Sequence, residues 1–468
     1  MTVSQLAPRR GPAPEKAGFG GRFVTAVSVG SVLNPINSSI IAIALVSVGH
    51  AFGVGADRTT WLVLGLYLAT AVGQPTMGKL ADRFGALRVY LAGMALVAAG
   101  GLIGFWGFSF GALIVSRVVI GLGTSAAFPA AMAMVHRQAA RLNRPAPGSV
   151  LGMLALTGQV SMVLGPPLGG LLIAAGGWRW IFLVNLPLAV AGTVLALAWL
   201  PRDDALPRGG LRTLWRAVDP PGIALFIVGL IAVLVFLTGL PAPNWPVLAV
   251  GAVALAGLLA WELRAAAPFI DIRMLGRNRA LTATYLRYIL TFCVIYGFVY
   301  GWTQWLEESA GLSASASGLM LMPMSVVAAV VTVFGARGRR IAGPLLIGTP
   351  LLLLGSAGLL VLGHASGWPL LVGLSAVIGV PNGLLVVGNQ AAMYAQAPGD
   401  QIGTASGLLR TFQYLGAIAS GAVISLTYGP RATDAGLHHL AIVLTAACAL
   451  LTVLTAATLR RPRRGAAA

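Results

Sequence analysis

Long apolar segments recur from one end of this chain to the other, and they constrain its fold more than any other feature. Of the 468 residues, 57% are hydrophobic and 9% are charged, whereas soluble globular domains carry roughly 25% charged residues. A helix of about 20 apolar residues crosses a bilayer. The sequence therefore predicts an all-α polytopic membrane protein with fourteen transmembrane helices, over residues 22–47, 59–79, 88–107, 110–135, 149–176, 180–200, 221–240, 246–263, 280–306, 317–336, 343–363, 368–393, 403–428 and 437–459.

The basic residues are distributed unevenly between the two sets of predicted loops. The net charge is +19, and 25 of the 31 Lys and Arg residues share one side of the membrane with both termini, against three on the other side. Because cytoplasmic loops carry an excess of Lys and Arg, both termini are predicted to be cytoplasmic. Topology accounts for the charge, and no basic patch has the aromatic spacing of a nucleic-acid groove. No nucleic-acid partner is therefore predicted.

The predicted spans divide into six, two and six. The segment "VIGLGTSAAFPAAMAM" at 119–134 resembles "VIGVPNGLLVVGNQAAM" at 377–393, in the fourth span of each half. Parallel halves with a substrate site between them are a transporter architecture. The predicted domains are a cytoplasmic tail (1–21), a six-helix bundle (22–200), a linker with an inserted helix pair (201–279, helices at 221–240 and 246–263), a second six-helix bundle related by a pseudo-two-fold axis (280–459) and a second tail (460–468).

The segment "GKLADRFGALR", residues 78–88, lies in the short loop after the second span. It resembles the loop signature of the major facilitator superfamily, G-x-L-x-D-R-x-G-R-R, with matches at Gly78, Leu80, Asp82, Arg83 and Gly85. The resemblance implies that Asp82 caps a helix of the opposite half and stabilises one conformation. A carboxylate at a helix N-terminus gains about 0.3–1 kcal/mol, and the start of the span at 403 is the expected target. The alternative is a solvated tight turn.

Further motifs extend this resemblance along the chain. "SMVLGPPLGG", residues 161–170, resembles the fifth-helix motif of the superfamily's antiporters, with matches at Gly165, Pro166, Gly169 and Gly170. Such a run lets helices approach closely and bend, although ordinary helix packing would also explain it. "GGWRWIFLVNLPLAV" at 176–190 and "ASGLLRTFQYLG" at 405–416 look like the fourteen-helix drug:proton antiporter branch.

The fourth predicted span contains a buried charge. "SRVVIGLG", residues 116–123, resembles the antiporter motif R-x-x-x-x-G, which implies a role in proton transfer for Arg117. A charge inside a bilayer is costly and is a functional candidate by default. The alternative is that the side chain of Arg117 reaches the outer interface.

The first span, "VLNPINSSIIAIAL" at 32–45, lacks a carboxylate. In the antiporter branch this helix reads L-D-x-T-I-V-N-V-A-L-P, and Asn37 occupies the position of the aspartate. An asparagine cannot exchange a proton near neutral pH. Asn34 and Asn37 share one helix face, and we predict that both contact substrate. The alternative is that they form interhelical hydrogen bonds.

None of the twelve acidic residues lies in the middle of a predicted span, whereas Arg117, Arg287 and Arg410 do. The nearest candidates for a group that changes charge are Glu307 and Glu308, at the outer end of the ninth span. Because adjacent carboxylates raise each other's proton affinity, we predict that they accept protons; the alternative is two solvated charges. Further polar residues predicted to face a substrate cavity are Tyr67, Gln74, Gln159, Tyr296, Tyr300, Gln304, Asn382 and Gln413. The alternative for each is an interhelical hydrogen bond.

The resemblance implies a transporter that exports an amphipathic or drug-like molecule across the bacterial plasma membrane by alternating access, coupled to protons. Buried arginines without balancing acids favour an alternative, a carrier of anionic or lipid-like substrates that is uncoupled from protons or coupled differently. The sequence shows no metal-ligand spacing, nucleophile elbow or phosphate-binding loop, so no enzyme activity, metal or cofactor is predicted. The predicted partners are membrane lipid, a small-molecule substrate and protons, and the resemblance implies a monomer.

Overall fold

The computed structural model describes residues 19–54, 56–203, 218–238, 243–266, 268–312, 314–335, 341–428 and 432–459. Almost all of the two predicted tails and residues 204–217 of the predicted linker lie outside these ranges. The described residues form helices and no β-strand. A helix satisfies its backbone hydrogen bonds internally, as a lipid environment requires, and the predicted all-α membrane fold is confirmed.

The first half of the chain forms six helical segments, two of which are divided by short breaks. Pro35 and Pro75 lie inside the first two helices, where each removes one backbone hydrogen bond. The helices are α1 (Gly21–Phe52), α2 (Ala56–Phe84), α3 (Ala86–Phe105), α4 (Phe110–Thr124), α5 (Ala127–Arg141), α6 (Gly148–Gly176), α7 (Trp180–Leu183) and α8 (Asn185–Trp199).

The inserted pair and the second half follow. A π-helical segment, Gly297–Trp302, interrupts the first long helix of this half; such segments occur frequently at functional sites. The helices are α9 (Pro220–Thr238), α10 (Trp245–Glu262), α11 (Ile272–Arg277), α12 (Arg279–Tyr296), α13 (Thr303–Glu308), α14 (Ala314–Met320), α15 (Met322–Gly335), α16 (Ala342–Gly358), α17 (Trp368–Gln396), α18 (Ile402–Tyr428) and α19 (Asp434–Leu459).

A helix, or a run of consecutive helices, overlaps each of the fourteen predicted segments. Within the described ranges, ten helical stretches are long and apolar enough to cross a membrane. The total of fourteen crossings and the domain boundaries stay predictions. α2 and α18 are not among the ten, and they carry polar residues that meet where the two halves touch.

The two halves contact each other along several pairs of helices. α18 packs against α2 and α5, and α6 packs against α15 and α17. Helix α9 of the inserted pair packs against both α2 and α18, with Phe226 and Leu230 in an apolar cluster that also contains Val72 and Tyr414. The inserted pair therefore covers the seam between the halves on this side. Following the predicted orientation, we call the end with Asp82 the inner end and the end with Glu308 the outer end.

Candidate functional site

Asp82 joins the two halves at the inner end. Its carboxylate accepts hydrogen bonds from the backbone N–H of Gly403 at 2.8 Å, and from the backbone N–H and hydroxyl of Thr404 at 2.7 and 2.8 Å. These groups belong to the first turn of α18, where backbone N–H groups lack intrahelical partners. Burial raises the pKa of Asp82 to about 6, although these hydrogen bonds oppose the shift. The expected contact is therefore present in this conformation.

The two glycines of this loop motif, Gly78 and Gly85, allow neighbouring parts of the protein to approach the backbone closely. A Cβ at Gly78 would collide with the backbone of Gly403, so only glycine lets α2 approach α18 here. Gly85 has φ +108° and lies against the carboxylate of Asp203. Asp203 accepts from the backbone N–H of Arg88 at 2.8 Å and forms an ion pair with Arg137 at 3.1 Å.

Sequence reasoning did not identify Asp203 or Arg137. The guanidinium of Arg137 also donates to the carbonyl of Ala81 at 3.0 Å, so the pair holds the end of α2 and the start of α3 together. Arg83, in contrast, is exposed and its guanidinium lies 5.9 Å from the centroid of the Phe84 ring.

The glycines of the second motif lie between α6 and α1. A Cβ at Gly165 would collide with the hydroxyl of Ser39, and a Cβ at Gly169 would lie 2.9 Å from the side chain of Ile40. Gly170 is exposed, with no atom within 4 Å of a Cβ placed there. Pro166 lies in α6, but its side chain is outside the described part of the structure, as is that of Gln159.

Asn34 connects the two halves near the middle of the molecule. Its amide nitrogen donates to the hydroxyl of Thr124 at 3.0 Å, and its amide oxygen accepts from the hydroxyl of Tyr414 in α18 at 2.5 Å. Beside it lies a cavity of about 20 Å³, enough for about one water molecule. Its lining residues are Gly30, Ser31, Asn34, Pro35, Gln74, Thr124, Ala127, Phe128 and Arg410.

Two of these lining residues, Gln74 and Arg410, have long polar side chains. Gln74 is 1% exposed, and its amide oxygen has no hydrogen-bond partner among the described residues. Arg410 donates to the amide oxygen of Gln413 at 2.9 Å, and its guanidinium lies 4.1 Å from the centroid of the Phe128 ring. A larger groove of about 820 Å³ opens at the inner surface near Met274.

A layer of tyrosines borders the cavity on its outer side. Tyr67 of α2 and Tyr414 of α18 pack with ring centroids 5.6 Å apart, and the Tyr67 hydroxyl is hydrogen-bonded to Tyr300. Tyr296 stacks on Tyr300 at 5.4 Å and accepts from Gln413 at 3.5 Å. These predicted cavity residues therefore come together from both halves.

Asn37 and Arg117 belong to a network inside the first half. The Asn37 amide nitrogen donates to the carbonyl of Leu33 at 2.9 Å and to the side chain of Asn185 in α8 at 2.6 Å. Arg117, which is 1% exposed, donates to the backbone carbonyls of Leu62 and Asn37, both at 2.9 Å. In this conformation Asn34 and Asn37 both form the interhelical bonds of the alternative interpretation. Arg117 lies in the interior and does not reach the outer interface.

The remaining predicted residues lie away from the central cavity. Asn382 is buried in α17. Glu307 and Glu308 are exposed at the outer end. Glu308 accepts from the amide nitrogen of Gln304 at 3.0 Å and from the backbone N–H of Ala432 at 2.6 Å. The structure therefore does not bring these carboxylates to the cavity.

None of the three intramembrane arginines forms an ion pair within the described ranges. Arg287 donates to the hydroxyls of Thr284 at 2.7 Å and Thr458 at 2.9 Å, and to the side chain of Asn389 at 3.3 Å. Arg117 bonds backbone carbonyls. Of the three, Arg410 lines the cavity; its position as a charge inside an apolar span is the sequence signal that identifies it.

Comparison with known proteins supports this architecture. The family model of the Major Facilitator Superfamily matches residues 27–421. An uncharacterized MFS-type transporter, YwoD of Bacillus subtilis (strain 168), is 34% identical over 427 residues, covering 90% of this chain and 93% of the relative.

Two further matches are an export protein and a solved structure. The tetracenomycin C resistance and export protein of Streptomyces glaucescens is 28% identical, covering 87% of this chain and 76% of the relative. The proton:xylose symporter XylE shares the fold with a TM-score of 0.63 at 14% identity, covering 92% of this chain and 94% of that one. The predicted family is confirmed: this chain is a non-enzymatic carrier that belongs to the major facilitator superfamily.

Proposed function

We propose that this protein exports an amphipathic, drug-like small molecule across the bacterial plasma membrane by alternating access, with both termini in the cytoplasm. The Streptomyces relative is named as a resistance and export protein. The excess of Lys and Arg at the inner end supports the orientation. Export of a substrate against its gradient requires that the cavity face the two sides of the membrane in turn.

The observation that carries the proposal is the polar cavity at the seam. Its wall contains residues of both halves, Asn34 and Gln74 from the first and Arg410 from the second. The Asp82 contacts keep the two halves together on the inner side of this cavity. When those hydrogen bonds exchange with water, the halves can separate at the inner end and admit a substrate from the cytoplasm.

Proton coupling is the second part of the proposal. Glu307 and Glu308 lie where protons from outside would arrive, and they are exposed to solvent. Arg117 bonds to carbonyls of both α1 and α2, so a change in its position would alter the packing of these two helices. We assign proton uptake to the two glutamates and transmission of the conformational change to Arg117.

A carrier of anionic or lipid-like substrates, uncoupled from protons or coupled differently, is the second candidate. It is favoured by one observation: Arg117, Arg287 and Arg410 have no carboxylate partner among the described residues. Uncompensated positive charge in a low-dielectric region attracts anions. This candidate shares the cavity and differs from the first in the driving force.

The function is tested by efflux of fluorescent amphiphiles from cells that express the protein, with and without a protonophore. Collapse of efflux on adding the protonophore supports proton coupling. Loss of protonophore-sensitive efflux in Glu307→Gln/Glu308→Gln would assign the coupling to these two groups. Efflux that persists with the protonophore would exclude proton antiport, and the absence of efflux for cationic, neutral and anionic probes would exclude the export function.

A further inference from the structure

The cavity wall contains two polar groups whose bonding capacity is not used up by the described part of the protein. Asn34 donates to Thr124 and accepts from Tyr414, so its amide group is satisfied. Gln74 has a buried amide oxygen without a partner among the described residues. Arg410 donates a hydrogen bond to Gln413, although a guanidinium carries five N–H donors.

Arg410 provides a charge that the described part of the protein does not neutralise. The guanidinium lies over Phe128, with its central carbon 4.1 Å from the ring centroid, and a cation–π contact stabilises the charge without pairing it. No carboxylate forms an ion pair with it within the described ranges. A planar guanidinium matches the geometry of a carboxylate or another oxyanion, and the attraction is strong where water is scarce.

Gln74 provides a hydrogen-bond acceptor near this charge. A buried acceptor that remains unpaired costs free energy. Gln74 and Arg410 line the same cavity, and the amide oxygen of Gln74 is covered by protein atoms in this conformation. A ligand with an O–H or N–H group would satisfy it. The cavity now has room for about one water, so the head group of a ligand enters when the halves move apart.

We propose that Arg410 and Gln74 form a head-group site that selects amphipathic anions, in which an acidic group contacts Arg410 and a neighbouring O–H or N–H donor contacts Gln74. The inference rests on the proposed export function, because it names the substrate class of the same cavity. It assigns to this chain a preference for anionic over cationic amphiphiles. Dansylglycine has this chemistry, since its carboxylate lies next to a sulfonamide N–H.

Three dansyl probes separate the two contacts. Dansylsarcosine keeps the carboxylate but lacks the N–H donor, and dansylcadaverine keeps the donor but carries an ammonium in place of the carboxylate. Binding of each probe to the purified full-length protein in detergent is followed by dansyl fluorescence. Uptake into proteoliposomes, in which some of the molecules face inside-out, measures transport of the same probes.

We expect the wild-type protein to bind dansylglycine most tightly. Arg410→Gln should weaken dansylglycine binding by about 10- to 100-fold, the range for a hydrogen bond to a charged group, and Arg410→Lys should retain part of the affinity. Gln74→Met should weaken dansylglycine by about fivefold and leave dansylsarcosine unchanged. The matched control is Arg179→Gln, which removes one arginine that lies 4.6 Å from the Trp178 ring, away from the cavity, and should change nothing.

The outcomes distinguish this inference from the proposed function. Dansylcadaverine transported at a higher rate than dansylglycine, with Arg410→Gln binding dansylglycine like wild type, would overturn the anion site while export remained intact. Failure of all three probes to bind or move, with a monodisperse wild-type protein and Arg179→Gln control, would overturn the proposed function together with this site. If Arg410→Gln failed to fold, Arg410→Lys and Gln74→Met would decide the result, and wild-type affinity for dansylglycine in both would overturn the site.

Discussion

The contacts at the inner end of this molecule differ from those at the outer end in which parts of the protein they connect. At the inner end the contacts cross the seam: Asp82 bonds Gly403 and Thr404 of the other half, and the rings of His136 and Tyr394 lie 5.9 Å apart. At the outer end, the contacts of Trp178 and those of Asp434 connect elements of the same half. In this conformation the inner end is the closed one.

At the outer end, these contacts stay within one half of the molecule. Phe52 packs on Trp178 within the first half, with ring centroids 5.7 Å apart. In the second half, Asp434 accepts from the Trp305 indole at 2.8 Å and from Ser309 at 2.9 Å. Bonds inside one half survive a rigid-body movement of the halves, whereas bonds across the seam must break in it. The inner contacts therefore determine the conformational equilibrium, and the outer contacts determine the stability of each half.

The largest predicted effect follows from adding a side chain to the inner seam. Gly407 of α18 packs so closely on α2 that a Cβ would collide with the backbone carbonyl of Gln74. Overpacking costs typically 1–3 kcal/mol, so Gly407→Val should reduce the ratio of closed to open molecules by about 5- to 150-fold and stop transport. Spin labels on Cys at Ala140 and Ala395, two residues at the inner ends of α5 and α17, measure the closure, after Cys293 and Cys448 are replaced by Ala.

Gly421→Val is the matched control for this experiment. Gly421 lies in the same helix, but no atom lies within 4 Å of a Cβ placed there. The control should keep the short distance between the labels and the transport rate of the parent. A similar loss of closure in both variants would mean that helix propensity, and not contact across the seam, causes the effect.

A smaller effect is expected from removing the Asp82 carboxylate. Asp82→Ala leaves two backbone N–H groups of α18 without their partner, which costs about 1–2 kcal/mol, as for the loss of a helix cap. The ratio of closed to open molecules should therefore fall by about 5- to 30-fold. Asp400→Asn, at an exposed acidic residue of the same inner end, is the control. Closure unchanged in Asp82→Ala would contradict the role assigned to this contact.

The sequence predicted the fold well because a lipid environment permits few backbone structures. A run of about 20 apolar residues in a bilayer must be helical, and each predicted segment overlaps a helix. The break between α4 and α5 and the π-helix at Gly297–Trp302 were not predicted. The break has a local signal that hydrophobic periodicity does not capture, because Pro129 lies in the first turn of α5 and has no backbone N–H to donate to the preceding turn. No comparable proline lies within the π-helix.

The candidate site was only partly predictable. Asn34 and Gln74 stand out as polar residues in apolar spans, and both lie at the cavity. Their partners could not be inferred, since Tyr414 is 380 residues from Asn34 in the chain and meets it only when the two halves assemble. For the same reason the sequence could not distinguish Asn34, which contacts the other half, from Asn37, which bonds Asn185 within its own half.

The inner contact should also depend on pH. The pKa of Asp82 is about 6 when the inner end is closed and about 3.9 for a solvent-exposed aspartate, so the closed state binds the proton more tightly. Protonation therefore favours closure below pH 6, and this gain is lost as the pH rises through about 6. Between pH 7 and pH 5 the ratio of closed to open molecules should rise about tenfold.

The same spin-label pair measures this ratio. In Asp82→Asn the pH dependence should be absent, because the amide does not titrate. This variant retains His136, which also lies at the inner seam, so a pH dependence that remained in Asp82→Asn would assign the effect to the histidine. A closed population that rose with pH in the parent protein would contradict the expected direction of the shift.

The smallest effect on closure is expected at the outer end. Asp434→Asn weakens the hydrogen-bond contact between its side chain and the His364 imidazole, whose atoms are 2.9 Å apart, and weakens the bonds from Trp305 and Ser309. His364 is largely exposed, and exposed pairs contribute about 0–1 kcal/mol. We therefore expect the free energy of unfolding of the second half to fall by about 1 kcal/mol, measured by thermal unfolding in detergent, with the inner-end distance unchanged.

The inner-end distance in Asp434→Asn decides whether the two ends act separately. The partners of this carboxylate, Trp305, Ser309 and His364, belong to the second half, so they move together whether the inner end is open or closed. If Asp434→Asn nevertheless shifted the closed population, the outer bonds would have to differ between the two conformations. The division between contacts that select the conformation and contacts that stabilise each half would then be wrong, because the outer end would contribute to both.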